Sequence, residues 1–235
     1  MTTSQLDQPL TIHGVPLSVH TRKVIVAAHL KGFAYQVVPA APVVPATLPP
    51  NWRALSPTGL IPAIEHGGYR LADSTAIVLY LERLRPEPAL VPRDAERMGE
   101  ALALDAWAGS ALFRRVVHPL FHNQVVRPKI RKEAADPAAV EEALGQAMPE
   151  AFAYLEGLRP DGFLVGGALS IADLAVVSNL ITFQYLGHRI DARRFPALEA
   201  YFRRHLAAPG IAGLLDHEKE SVERMALDRS FLERA

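Results

Sequence analysis

The sequence predicts two joined folds: a small α/β domain over residues 1–90 and an all-α domain over residues 91–235. Short β-type runs alternate with helical segments in the first part, and helical periodicity dominates the second. Proline use changes at the same place, since 12 of the 19 prolines fall in the first 92 residues. Three of them cluster between Arg85 and Pro92, the signature of a linker, so the boundary is set near Val91. With 235 residues, 49% of them hydrophobic, the chain buries enough apolar surface to fold without disulfides or a structural metal.

Each element follows from its local pattern. Leu10 to His13 is short and branched enough for a buried strand, and Val24, Ile25, Ala28 and Leu30 give one face of a helix ending near Gly32. Tyr35 to Val38 is a second β run. It leads into a loop carrying Pro39, Pro42, Pro45, Pro49 and Pro50, which is expected to hold no regular ladder or helix. A third strand is expected at Pro62 to Glu65, a turn at Gly67-Gly68 and a fourth strand at Tyr69 to Leu71. A helix from Ser74 to about Arg85 closes the domain, with Ile77, Leu81 and Leu84 on one face. Beyond Pro92, helices are expected over Asp94 to Phe121, Pro137 to Leu158, Ile171 to Tyr185 and Pro196 to Leu206, with a polar terminal helix after Gly210. Ser170-Ile171-Ala172-Asp173 reads as a capping box, a structural device fixing the start of a buried helix.

Composition narrows function. Twenty-five basic residues balance 25 acidic ones, so the long-range field used for nucleic-acid binding or anionic-membrane attachment is missing. Cysteine is absent, which removes thiol nucleophiles of the protein itself, zinc-thiolate sites and iron-sulfur clusters. The polar stretch from Met1 to Pro9 lacks a signal-peptide pattern, and no later run has the length of a membrane span, so the expected location is the cytoplasm.

Four features of the pattern bear chemistry. Pro16-Leu17-Ser18-Val19-His20-Thr21-Arg22-Lys23-Val24 puts hydroxyls and an imidazole between a strand end and a helix start, where amides and the helix dipole favour an anion such as a bound thiolate. The plain alternative is that Ser18 or Thr21 caps the helix. Gly59-Leu60-Ile61-Pro62 opens a strand on proline, either as a cis bond that turns the Ile61 backbone toward a peptide ligand or as a trans loop end. Asp73-Ser74 heads another helix, where Asp73 suits an ammonium and Ser74 with the helix N-terminus suits a carboxylate; a simple cap is again the alternative. Phe113, Val117, His118 and Phe121 form an apolar stripe with one titratable group, which serves either a pocket or the core. Arg22 and Lys23 either touch a ligand or, as is commoner on a first helical turn, make surface or interdomain pairs.

In this order the motifs resemble the cytosolic glutathione transferases over nearly the whole chain. Residues 16–24 are similar to the serine-type signature of the plant phi class and related bacterial enzymes, with Ser18 at the catalytic serine. Ser56-Pro57-Thr58-Gly59-Leu60-Ile61-Pro62 resembles the family's cis-proline stretch, Asp73-Ser74 its acid-serine pair, and Phe163 through Leu174 its capped core helix. The resemblance implies a thioredoxin-like N-terminal domain, a helical C-terminal domain and a homodimer. Glutathione is the implied cosubstrate, with no metal, no nucleic acid and no membrane.

It further implies a detoxifying conjugation of small hydrophobic electrophiles. The γ-glutamyl end would lie on Asp73 and Ser74, the cysteinyl backbone on Ile61 beside Pro62, and the sulfur at Ser18, with Thr21 or His20 as alternative thiol contacts. Leu17, Phe113, Val117 and Phe121 would hold the electrophile. Lowering the thiol pKa by about two units requires roughly 2.7 kcal/mol, within reach of one charge-assisted hydrogen bond with dipole support. One departure stands out: no charged residue or histidine lies between Lys31 and Arg53, where phi-like enzymes commonly supply a cation for the glycine carboxylate. Arg53, Gln36, Asn51 or a partner subunit are the candidates to replace it. A non-catalytic binding or assembly module of the same fold, and a glutathione-dependent isomerase or peroxidase, are the competing readings.

Overall fold

The computed structural model describes residues 8–234; most of the polar opening stretch, residues 1–7, lies outside them. The chain divides into two compact units between Arg93 and Asp94.

In the first unit four strands, β1 (Leu10–Gly14), β2 (Tyr35–Pro39), β3 (Ala63–His66) and β4 (Tyr69–Ala72), form one sheet in the order β2-β1-β3-β4. β1 runs parallel to β2 and antiparallel to β3, and β3 and β4 form a hairpin. The hairpin turns at Gly67-Gly68, whose φ values of 55° and 82° suit a tight two-residue turn that side chains would strain. Helices Val19–Leu30 and Ser74–Leu84 pack on each other and against the sheet through Val24, Ala28, Ile77 and Leu81, all buried, with Leu10, Ile12 and Ile64 behind them. Lys31 is also buried, and its Nζ donates to the Arg85 and Pro88 carbonyls and pairs with Glu82 at 2.6 Å, which ties the first helix to the proline-rich linker.

The proline-rich loop is more ordered than its composition suggests. Pro39 takes part in the ladder, in register with Gly14, because β2 is an edge strand and one of its sides needs no donor. A single 3₁₀ turn forms at Pro45–Thr47 and one helical turn at Trp52–Leu55. Trp52, Leu55, Ala40 and Ala63 make a small core on that side of the sheet.

The rest of that face is polar. Gln36, Thr11, Glu65 and Arg70 form one row across all four strands. Gln36 donates to Thr11 at 3.0 Å, Arg70 donates to Glu65 at 2.9 Å, and His13 meets the other Glu65 oxygen at 3.0 Å. His13, then Arg70, hold the Glu65 carboxyl below its ordinary range against the opposing effect of burial. A carboxyl depressed in the folded state adds stability above its unfolded pKa of about 4.3, which is lost as pH falls through the folded value. Glu65→Gln is therefore expected to flatten the fall of the melting temperature on the acid side of about pH 4.3, as thermal unfolding across a pH series would register.

The second unit is helical. Its first helix runs without a break from Ala95 to Arg131, ten residues past the expected end at Phe121. Pro128 does not stop it, because stretches at Ala108–Val117 and His122–Arg131 adopt the wider π pattern, with the His118 amide donating to the Phe113 carbonyl and the Lys132 amide to the Arg127 carbonyl. The buried Asn123 secures this end, donating to the Pro119 carbonyl at 2.9 Å and accepting from the Asp136 amide at 2.8 Å. A second helix spans 137–157, and Ile171–Tyr185, buried along its entire length, forms the centre of the unit. A helix hydrophobic on all sides belongs in such a place.

Ser170 and Asp173 form the expected capping box. The Asp173 carboxylate accepts from the Ser170 amide and hydroxyl at 2.8 and 3.0 Å, from the Leu164 amide at 2.9 Å and from the Tyr201 hydroxyl at 3.0 Å. Tyr201 belongs to the helix Pro196–Leu206; burial and the Asp173 charge push its phenol pKa up, so it remains a donor. The expected polar terminal helix is two short ones, Pro209–Asp216 and Lys219–Arg224, and they are anchored by apolar residues: Ile211, Leu214, Leu215 and Val222 are buried. No helix among the described residues is long and apolar enough to cross a membrane.

Candidate ligand-binding site

Strand register gathers the sequence motifs of the first unit. His13 near the end of β1, Ala63 at the start of β3 and Ala72 at the end of β4 stand side by side. Adjacent strands lie about 4.8 Å apart. Ser18, Ile61-Pro62 and Asp73-Ser74 follow or precede those three positions by a few residues, so all three leave the sheet at one end.

Ser18 caps the helix Val19–Leu30 in extended conformation, its Oγ accepting from the Thr21 amide at 3.4 Å. This bond is long, and it uses an oxygen lone pair rather than the hydroxyl proton. Ser18 is half-buried. The cap therefore leaves the hydroxyl proton unused at the positive end of a helix.

The Ile61–Pro62 peptide is cis. The preceding turn is braced from inside: Trp52 donates to the Gly59 carbonyl at 3.1 Å, and the fully buried Ser56 hydroxyl donates to the Leu60 carbonyl at 2.7 Å. Ile61 lies just before β3, outside the ladder, where its backbone is available to an added strand. Arg53 is exposed, leans over Gly59 and donates to the Pro57 carbonyl at 3.3 Å.

Asp73 caps Ser74–Leu84 through Oδ1, which accepts from the Thr75 and Ala76 amides at 2.9 and 3.0 Å. Its backbone has φ 86° and ψ 124°, a region that side chains other than glycine rarely occupy. Such strain gathers at ligand-contacting positions. Asp73 is exposed and Oδ1 carries both cap bonds, leaving Oδ2 for a cation, while Ser74 beside it is buried.

Several sequence-predicted residues take other places. Thr21 is fully buried against β1, where a Cβ on Gly14 would come within 2.5 Å of its Oγ1, so it cannot serve as a thiol contact. It lies three residues after Ser18, and its side chain packs against Gly14 at the end of β1. His20 is half-buried in the same turn. Arg22 and Lys23 are buried, at 2% and 3% exposure, rather than on the surface. Lys23 Nζ donates to the Thr75 hydroxyl at 3.1 Å and so links the two helices whose N-termini carry Ser18 and Asp73. Sequence reasoning missed this link; the signal was a lysine at the fifth position after the serine, whose direction only the packing decides.

In the helical unit Val117 is core, 1% exposed, which overturns its assignment to a pocket wall. Phe113 and Phe121 are half-buried, and Leu17 in the first unit is nearly buried. A separate recess of about 220 Å³ within the helical unit is lined by Gln124, Lys129, Gly187, Leu227 and Asp228, none of them a predicted site residue. It is smaller than ordinary ligand pockets, which begin near about 300 Å³.

Residues 12–89 match the family model of the glutathione S-transferase N-terminal domain and residues 137–204 that of the C-terminal domain. The chain is 31% identical to a maleylacetoacetate isomerase of Pseudomonas aeruginosa over 74% of its length and 82% of the relative's. It is 25% identical to FtsZ-localized protein A of Caulobacter vibrioides over 85% and 87% of the two chains. Among solved structures it resembles a theta class glutathione S-transferase of Xanthomonas axonopodis pv. citri with glutathione bound, at 27% identity, a TM-score of 0.72 and coverage of 86% and 94%.

Proposed function

Because the chain belongs to the glutathione S-transferase family, we propose that its α/β unit binds glutathione and that Ser18 holds the peptide's sulfur as a thiolate for attack on a small hydrophobic electrophile. What carries the reading is the register of β1, β3 and β4, which brings a serine-capped helix start, a cis-proline turn and an acid-headed helix to one sheet end. An extended tripeptide has the matching polarity. Its ammonium meets Asp73 Oδ2, its first carboxylate meets Ser74 and the amides heading that helix, its cysteinyl backbone pairs with Ile61, and its sulfur lies at Ser18. Arg53 is the cation within reach in sequence for the glycine carboxylate. A homodimer belongs to the same reading.

The chemistry is an ordinary nucleophilic attack. The thiol proton leaves to solvent, the Ser18 hydroxyl donates to the resulting thiolate, and a carbon–sulfur bond forms at the electrophile as a leaving group departs or a π bond accepts the pair. An isomerase would use the same thiolate, adding to a conjugated double bond and leaving again after rotation. Similarity to maleylacetoacetate isomerase supports that variant. The non-catalytic binding or assembly reading draws on the uncharged stretch 32–52 and on the similarity to FtsZ-localized protein A.

Turnover assays with glutathione separate these readings, using an activated aryl halide, a conjugated enone and a cis-enone diacid. Conjugate formation supports the transferase and a cis-to-trans change the isomerase. Binding without turnover, or no binding at millimolar glutathione, favours the assembly module. Asp73→Asn isolates the ammonium contact, since asparagine caps a helix as well as aspartate but carries no charge. The dissociation constant for glutathione is expected to rise about 10- to 100-fold by calorimetry. An unchanged constant would remove Asp73 from the site.

A further inference from the structure

Of the nine histidines, several have clear partners: His13 with Glu65, His66 with Tyr80 and the Gln8 carbonyl, His188 with Gln124, and His205 with the Tyr201 carbonyl. His118 and His122 differ. Their imidazoles make no hydrogen bond or ion pair with any described residue; their ring contacts are to each other, at 5.8 Å between centroids and 20° between planes, and from His118 to the edge of Phe113. They stand one turn apart on the 95–131 helix, with the His122 amide donating to the His118 carbonyl. His118 is exposed and His122 half-buried, so both imidazoles reach solvent.

We propose that His118 and His122 form an exchangeable two-imidazole site for a divalent transition metal of borderline softness, zinc, nickel or copper, with water completing the coordination. Histidines at i and i+4 on one helix face are the pair that grips zinc in H-E-x-x-H helices, and the intervening Pro119, Leu120 and Phe121 preserve that spacing here. Imidazole nitrogen suits these three metals and suits magnesium or calcium poorly.

The rings now lie nearly parallel. A histidine's χ2 torsion is broad, so turning both planes toward a shared point takes little energy. The backbone supplies the rest of the chelate, since both residues lie in one continuous helix.

The surroundings fix the character of the site. No third histidine, aspartate or glutamate completes a cluster among the described residues. Arg114 lies one turn earlier, and Arg115 is paired with Glu150 at 2.9 Å. Neither imidazole has the carboxylate or carbonyl partner that stiffens a resident metal ligand. Affinity is therefore modest, the metal exchanges, and open positions face solvent.

Calorimetry of tag-free protein with nickel or zinc chloride, paired with electron paramagnetic resonance of the copper(II) form, tests this. One metal per chain is expected, with nitrogen hyperfine structure from two imidazoles. His118→Gln or His122→Gln should each weaken binding about tenfold or more, because one ligand loses the chelate. His29→Gln and His217→Gln, which alter other exposed imidazoles, should leave it unchanged. His118 is exposed, so its variant keeps the fold, as circular dichroism would verify. Equal affinity in the His118 variant, or an equal loss in the His29 variant, would overturn the proposal.

Discussion

Asp173→Ala is expected to destabilise the helical unit by about 3–5 kcal/mol, the cost of removing the acceptor from a buried, charge-assisted network. The carboxylate is fully buried and serves four donors from three parts of the unit: Ser170 at the helix start, Leu164 in the loop before it and Tyr201 on a neighbouring helix. Alanine leaves the Leu164 and Ser170 amides and the Tyr201 hydroxyl without this acceptor. It also removes the cap of the helix around which the unit is built. Tyr201→Phe should cost less, about 1–3 kcal/mol, since the carboxylate keeps its remaining donors. Urea unfolding of both variants measures the two losses, and equal losses would mean that the cap contributes little.

Ser18→Ala is expected to lower turnover with glutathione while leaving affinity for the peptide nearly intact. In the proposed reading the hydroxyl acts on the sulfur, whereas binding rests on Ile61, Asp73 and Ser74. A free thiol has a pKa of about 8.5; a depression of about two units makes it mostly thiolate at pH 7, and loss of that depression cuts the thiolate fraction about 25-fold. kcat/KM should fall by a similar factor, and its acid limb should move up by about two units. Structural damage is expected to be small, since the cap bond from the Thr21 amide is long at 3.4 Å. Unaltered turnover would transfer the thiolate contact to another group. Thr21 is not that group, because it is buried against Gly14.

Much of the fold was legible because short-range signals agreed with long-range ones. β-branched runs, the Gly67-Gly68 turn and the serine-aspartate box at Ser170 each specify local geometry that packing then uses. Helix Ile171–Tyr185 begins and ends where its cap and apolar run imply. The 95–131 helix was less legible at its far end, since Pro128 is ordinarily a breaker and π hydrogen bonding with the Asn123 bracket leaves no sequence signature.

Side-chain direction was the harder problem. In Val19–Leu30 nine consecutive or near-consecutive residues are buried, from Val19 to Ala28, so periodicity could not tell Thr21 from His20 or predict that Lys23 would turn to Thr75. The stripe through Phe113 and Val117 had the same ambiguity, and the structure resolves Val117 to the core. By contrast the placement of Ser18, Ile61-Pro62 and Asp73-Ser74 at one end of the sheet was readable, because residues at strand ends and helix starts are positioned by topology and need no knowledge of a face.

Ser18 at the helix start is proposed to stabilise a glutathione thiolate. Ultraviolet thiolate absorbance of bound glutathione, followed across pH in the native protein and in Ser18→Ala, tests it most directly. A titration midpoint about two units below that of the free thiol is expected in the native protein, with a return to the free value in the variant. A bound thiol that titrates like free glutathione, or a depressed midpoint that survives in Ser18→Ala, would contradict it.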